Sequence, residues 1–322
     1  MTSQYKNVFM FSGQGAQYFQ MGRGLFEQGA TFAREMRAMD EIVRALSGRS
    51  VLAALYGEGS KALPFDDIGL THPAIFMVEY ALARSVMEAG VEPDMTLGVS
   101  LGSVVAAVVS GCLPMEEALG WVVRHAAWIA QHCQVGGMIG VLGARQLYQD
   151  AALRDVSVVA AENGPSHWVL SARAAHLEGI ETFLKARQVP FGRLPVHYPF
   201  HSPWMVKPSA PPPVPMPATC AARLPLVCCA HAGVLGQLPG DYFWQAAIEP
   251  IRFAQTIDAL EQTGREGSHR YLDLGPSSTL ATLLKYLLPK DAQGRVRGGL
   301  TPYGRDVANF EALAALGQRA AA

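Results

Sequence analysis

A serine hydroxyl becomes a nucleophile when a crowded turn presents it beside a base and facing donors for the charge it generates. The run Gly98-Val99-Ser100-Leu101-Gly102 has the residue types for this. It fits G-x-S-x-G, in which flanking residues without Cβ let the backbone pass while the serine projects from the tip. The Leu101 N–H falls where a helix would begin, a position suited to stabilising an oxyanion. The hydroxyl also needs a proton acceptor. Of the nine histidines, His132, His167, His176 and His269 lie in polar stretches typical of surface. His201, in YPFHSPWM, is a candidate base at a plausible cleft wall.

Such a serine must be carried by strand, turn and helix. The opening NVFMF reads as a buried strand that stops at SGQGAQ. Residues 73–89 have helical periodicity, with Pro73 at a favoured first position. VEPDMTLG then gives a short strand, and GVSLGSVVAAVVSG a sharp turn followed by a small-residue helix. Alternation of this kind predicts an α/β fold with a parallel sheet covered by helices. Over residues 138–196 the order becomes strand, helix, two strands, helix, strand, the pattern of a ferredoxin-like unit. The predicted organisation is a large domain over 1–135 and 200–322, with a ferredoxin-like subdomain inserted over 136–199. The stretch VKPSAPPPVPMP at 206–217 has six prolines and reads as a stiff, extended surface linker.

Composition limits the function classes. Half of the 322 residues are hydrophobic, enough for a sizeable core, and the net charge is −1. With no basic excess there is no electrostatic case for nucleic acid. Cys112, Cys133, Cys220, Cys228 and Cys229 have no metal-ligand spacing and read as reduced core thiols. No apolar run reaches 18 residues, and MTSQYKNVFMF has no basic region before a long apolar stretch. The expectation is a monomeric cytoplasmic protein that neither spans a membrane nor is secreted, and that holds no metal.

The segments FSGQGAQ, THPAIF (71–76), GVSLG (98–102), ENGP (162–165), YPFHSP (198–203), EPIRF (249–253) and LDLGP (272–276) occur in one order over most of the chain. Together they resemble the malonyl-CoA:acyl-carrier-protein transacylase family, which includes the acyltransferase domains of polyketide synthases. The resemblance implies an α/β-hydrolase-like domain carrying a ferredoxin-like subdomain. It implies Ser100 as nucleophile, His201 as base oriented by a backbone carbonyl, and an oxyanion hole from the N–H groups of Gln14 and Leu101. Asn163 would line or brace the site. No bound cofactor is implied, because the substrates bring a phosphopantetheine arm on acyl carrier protein or on CoA.

The departures from the family concern the acyl pocket, for which the candidates are Val99, His72, Asn163, Arg124, His125 and Phe200. Val99 stands where histidine is usual, Ser103 where glutamate is common, and His72 replaces a glutamine. In malonyl-type members an arginine downstream of the nucleophile pairs with the free carboxylate. Ungapped alignment puts His125 at that place, and the neighbouring Arg124 points about 100° away on a helix. Loss of the guanidinium fork removes roughly 1.5–3 kcal/mol from a buried carboxylate. Phe200, before the predicted base, points the other way, since YPFH is common in malonyl-type members. Relatives without the arginine include acyl hydrolases of polyketide pathways that lack an acyltransferase in each module. Three readings follow. The favoured one is an acyl hydrolase, or a transferase of non-malonyl groups, acting on carrier-protein thioesters. The second is a malonyl-CoA:acyl-carrier-protein transacylase in which Arg124 or another cation serves the carboxylate. The third is a non-catalytic subunit that docks carrier protein.

Overall fold

Successive residues of the first strand belong to opposite faces, and here both faces are apolar. In β1 (Lys6–Phe11), Phe9 and Phe11 join one core cluster while Val8 and Met10 join another. A strand with no polar face must lie inside a sheet covered on both sides. In the computed structural model, which describes residues 5–57, 63–263 and 269–321, β1 lies in a sheet whose order is β10-β9-β1-β2-β7-β8. The members are β2 (Met95–Gly98), β7 (Leu226–Cys228), β8 (Gly233–Leu235), β9 (His269–Asp273) and β10 (Val296–Gly298). All neighbours pair in parallel except β8, an antiparallel edge on β7.

The second sheet has order β4-β5-β3-β6, from β3 (Gly136–Leu142), β4 (Ser157–Gly164), β5 (His167–Arg173) and β6 (Phe191–Arg193). Its pairings are all antiparallel, and the helix Ala174–Ala186 buries Leu177, Ile180 and Leu184 against Ile139, Trp168 and Leu170. This is ferredoxin-like pairing. The predicted first helix of the unit splits into a 3-10 turn (Arg145–Gln149) and one turn of α-helix (Ala151–Arg154). Asp150 divides them by capping the Ala152 N–H.

Four other expectations change. The helix predicted from residue 73 starts earlier, running Ile68–Glu88 with Pro73 inside it. Asp67 caps it by accepting from the Gly69 N–H at 2.9 Å. The proline-rich stretch is extended, but it is not simply a surface linker. Val214 and Met216 pack on the core, and the Val214 carbonyl accepts from the Trp121 indole at 3.2 Å. Cys220 is exposed, whereas the other four cysteines are buried free thiols. His269 is buried rather than at the surface, 3.8 Å from the Glu261 carboxylate. Among the described residues no helix is long and apolar enough to cross a membrane.

Candidate active site

Two parallel strands end side by side at the candidate nucleophile. β1 runs out at Phe11 into Ser12-Gly13-Gln14, and β2 at Gly98 into Val99-Ser100. The edge where strands present their carboxyl ends is where ligands of such sheets bind. Ser100 adopts φ 54, left-handed backbone that a side chain rarely accepts, directly before the helix Gly102–Val109. The flanking glycines permit it. A Cβ on Gly102 would lie 2.3 Å from the Phe11 carbonyl oxygen, and one on Gly98 2.4 Å from the Ser103 Cα.

His201 also has positive φ (57) and is buried. Its Nδ1 lies 2.7 Å from the Glu249 carbonyl oxygen, which can only accept, so Nδ1 carries the hydrogen. Nε2 is then the free lone pair, 2.9 Å from Ser100 Oγ and able to accept its proton. Burial lowers the His201 pKa to about 4, the Glu249 hydrogen bond opposing, so the ring is neutral at ordinary pH. Glu249 is held in turn by the smaller sheet. Ile251 and Ala161 form a parallel bridge, with Ile251 N–H donating to Ala160 and Glu162 N–H to Ile251.

The hydroxyl opens into a narrow cavity lined by Gln14, His72, Leu101, Val104, Trp121, His125, Phe200, Phe243 and Ala247 together with Ser100. Its free space is about that of one water molecule. The backbone N–H groups of Gln14 and Leu101 donate no hydrogen bond among the described residues, and both residues reach this cavity. The Gln14 side-chain amide donates to Thr71 Oγ1 at 2.8 Å and pairs with His72 Nδ1. Beneath, the Glu79 carboxyl accepts from the Ser12 N–H at 2.7 Å and hydroxyl at 2.8 Å, fixing the loop that leads to Gln14.

The helix Met115–His132 puts His125 into the cavity and Arg124 on the exposed side, beside Glu116, Glu117 and Gly120. The His125 ring stacks on Trp121 at 4.2 Å, with the Trp244 ring edge-on at 5.9 Å. Desolvation holds its pKa down at about 3, and burial pushes His72 well below the usual imidazole range. Among the described residues no arginine or lysine lines the cavity.

Phe200, His72 and His125 therefore meet at the cavity as expected, whereas Val99, Asn163 and Arg124 do not. Val99 turns to the opposite side of the sheet, among Val8, Met10 and Leu97. The Asn163 amide lies 3.1 Å from His167 Nδ1 in its own hairpin, and the bracing is done by the neighbouring backbone at Ala160–Glu162. Sequence reasoning missed Trp121, Val104, Phe243 and Ala247. Trp121 carried a signal, since it stands four residues before His125 on one helix face. Phe243 and Ala247 carried none.

The chain is also similar to known proteins. A family model described as an acyl transferase domain matches residues 8–286. A polyketide biosynthesis acyltransferase homolog, BaeD of Bacillus velezensis, is 37% identical, with 95% of each chain covered. The polyketide biosynthesis protein ThaF of Burkholderia thailandensis is 39% identical over 92% of this chain, which spans only 26% of that longer protein. Among solved structures, a loading acyltransferase from the avermectin modular polyketide synthase superposes with TM-score 0.82 at 26% identity, covering 98% and 99% of the two chains. With a fold of this kind, a serine–histidine pair at the strand ends and a family match over most of its length, the chain belongs to the acyl transferase domain family.

Proposed function

We propose that the protein takes an acyl group from a carrier-protein thioester onto Ser100, as an ester, and releases an uncharged acyl group to water or a second thiol. The reading is carried by one observation: the cavity beside Ser100 holds His125, and Arg124 lies outside it. A neutral imidazole cannot replace a guanidinium as partner for a malonyl carboxylate, so a carboxylate there would be desolvated without a counter-charge. Relatives named for polyketide biosynthesis support placing the reaction among polyketide carrier proteins.

The chemistry follows from the geometry. Ser100 Oγ attacks the thioester carbonyl carbon as its proton moves to His201 Nε2, and the Glu249 carbonyl stabilises the imidazolium through Nδ1–H. The oxyanion lies against the Leu101 and Gln14 N–H groups. Collapse breaks the C–S bond, and His201 returns the proton to the leaving thiolate. In the second half a water, or another thiol, attacks the ester carbonyl and gives its proton to His201. The proton then returns to Ser100 Oγ as the ester bond breaks.

Intact-protein mass spectrometry of the enzyme mixed with acetyl-, butyryl- and malonyl-loaded carrier protein tests this. Short uncharged acyl groups should leave the carrier, with a transient acyl adduct on the enzyme, and Ser100→Ala should abolish both. Efficient malonyl loading of Ser100 would refute the uncharged-acyl assignment.

A further inference from the structure

The cavity contains a polar group that this mechanism does not use. His125 is 2% exposed, and neither of its ring nitrogens has a hydrogen-bond partner among the described residues. Two polar groups beside it are already engaged. The Trp121 indole donates to the Val214 carbonyl, and the Gln14 amide serves Thr71 and His72. Buried imidazoles normally have partners, and a pocket meant only for a hydrocarbon chain would be better lined by an apolar ring here. His125 is neutral, so it offers one N–H donor and one lone-pair acceptor to whatever enters beside Ser100.

We propose that His125 is a hydrogen-bonding subsite for the acyl chain, and that the preferred group on Ser100 is a short acyl chain bearing an uncharged hydroxyl or keto oxygen. The inference rests on the acyl-Ser100 reading above. A hydroxyl fits best, because it can accept from one tautomer of His125 and donate to the other. A keto oxygen satisfies only the donor, and a methyl group leaves both nitrogens unpaired. The cavity as it stands has room for about one water, so the chain is short and its entry requires the lining rings to move apart. Sites built to bond a substrate hydroxyl discriminate strongly against analogues that lack it, because the site's own polar group is then stranded.

The pair 3-hydroxybutyryl and 3-methylbutyryl tests this directly, since a methyl replaces the hydroxyl at nearly constant shape. Pantetheine thioesters of both are given to the wild-type enzyme in competition, and Ser100 adducts and released acids are followed by mass. We expect kcat/KM to favour the hydroxyacyl group by at least about tenfold. His125→Phe should bring that ratio close to one, and His125→Gln, which keeps a donor and an acceptor, should retain much of it. Equal rates for the two thioesters in the wild type would overturn the subsite while leaving the acyl-Ser100 reading intact. No adduct on Ser100 from either thioester would remove both. The wild-type competition decides the question even if His125→Phe fails to fold.

Discussion

Ser100 and His201 both sit in left-handed backbone, and the strain has a purpose, since it aims Oγ and Nε2 at each other over 2.9 Å. The base must be neutral to accept a proton, and burial sets its pKa at about 4. Acylation rates should therefore be level from neutral pH to about pH 5 and fall below that as His201 takes up a proton. A kcat/KM profile with a limb near pH 6.5 would contradict the buried geometry. That these two residues meet was readable from the sequence, Ser100 because glycines mark the turn and His201 through the resemblance carried by YPFHSP. Val99 and Asn163 were misplaced for a different reason. Side-chain direction at a strained turn, or in a hairpin, depends on backbone angles that residue type does not dictate. Neighbours of Ser100 therefore cannot be assigned to its pocket by adjacency.

At the scale of elements, the site depends on how closely the nucleophile helix Gly102–Val109 approaches β1. Gly102→Ala would force a methyl against the Phe11 carbonyl, and the helix would have to move. We expect a loss of about 1–3 kcal/mol in stability, read by urea denaturation, with a larger proportional loss of acyl transfer because Ser100 moves with the helix. Unaltered activity would show that the close approach is not required. The strands were legible because β1 is apolar on both faces and β3–β5 are short apolar runs bounded by glycine and polar residues. The role of the proline-rich stretch was not, because proline content reports backbone stiffness and not what the carbonyls meet. Val214 holds the indole of Trp121, and Trp121 stacks on His125, so this stretch braces the cavity beside Ser100. Trp121→Phe should keep an aromatic ring under His125 yet lose the hydrogen bond, costing about 1 kcal/mol in the same measurement. Trp121→Ala should cost about 3–5 kcal/mol and enlarge the cavity. A widened tolerance for longer acyl chains in the Ala variant would be the functional counterpart.

The whole molecule keeps several ionisable groups neutral in its interior, which couples its stability to pH. His125 and His201 have folded pKa values of about 3 and about 4, both below the 6.5 of an unfolded imidazole. Above pH 6.5 both states leave these rings neutral and the full stability is present. As pH falls below 6.5 the unfolded chain binds protons that the folded chain refuses, and stability is lost, by pH 5 about 2 kcal/mol for each ring. His72, also depressed by burial, adds in the same direction. Asp273 opposes them. Burial raises its pKa to about 6, although the Ala281 and Gly275 N–H groups bond its oxygens, so its folded state gains a proton first and is favoured by about 1 kcal/mol at pH 5. Glu79, pushed well above the carboxylate range by burial, acts with Asp273. The losses at His125 and His201 outweigh the gain at Asp273, while His72 and Glu79 act in opposite directions. Thermal unfolding should thus shift down by a few degrees between pH 7.5 and pH 5. His125→Phe should flatten that slope by about the share of one ring, without moving the acid limb of the kcat/KM profile, which belongs to His201. An identical slope in that variant would mean that His125 is charged or solvated in the folded protein, and the cavity would then no longer present an uncharged wall to the acyl group.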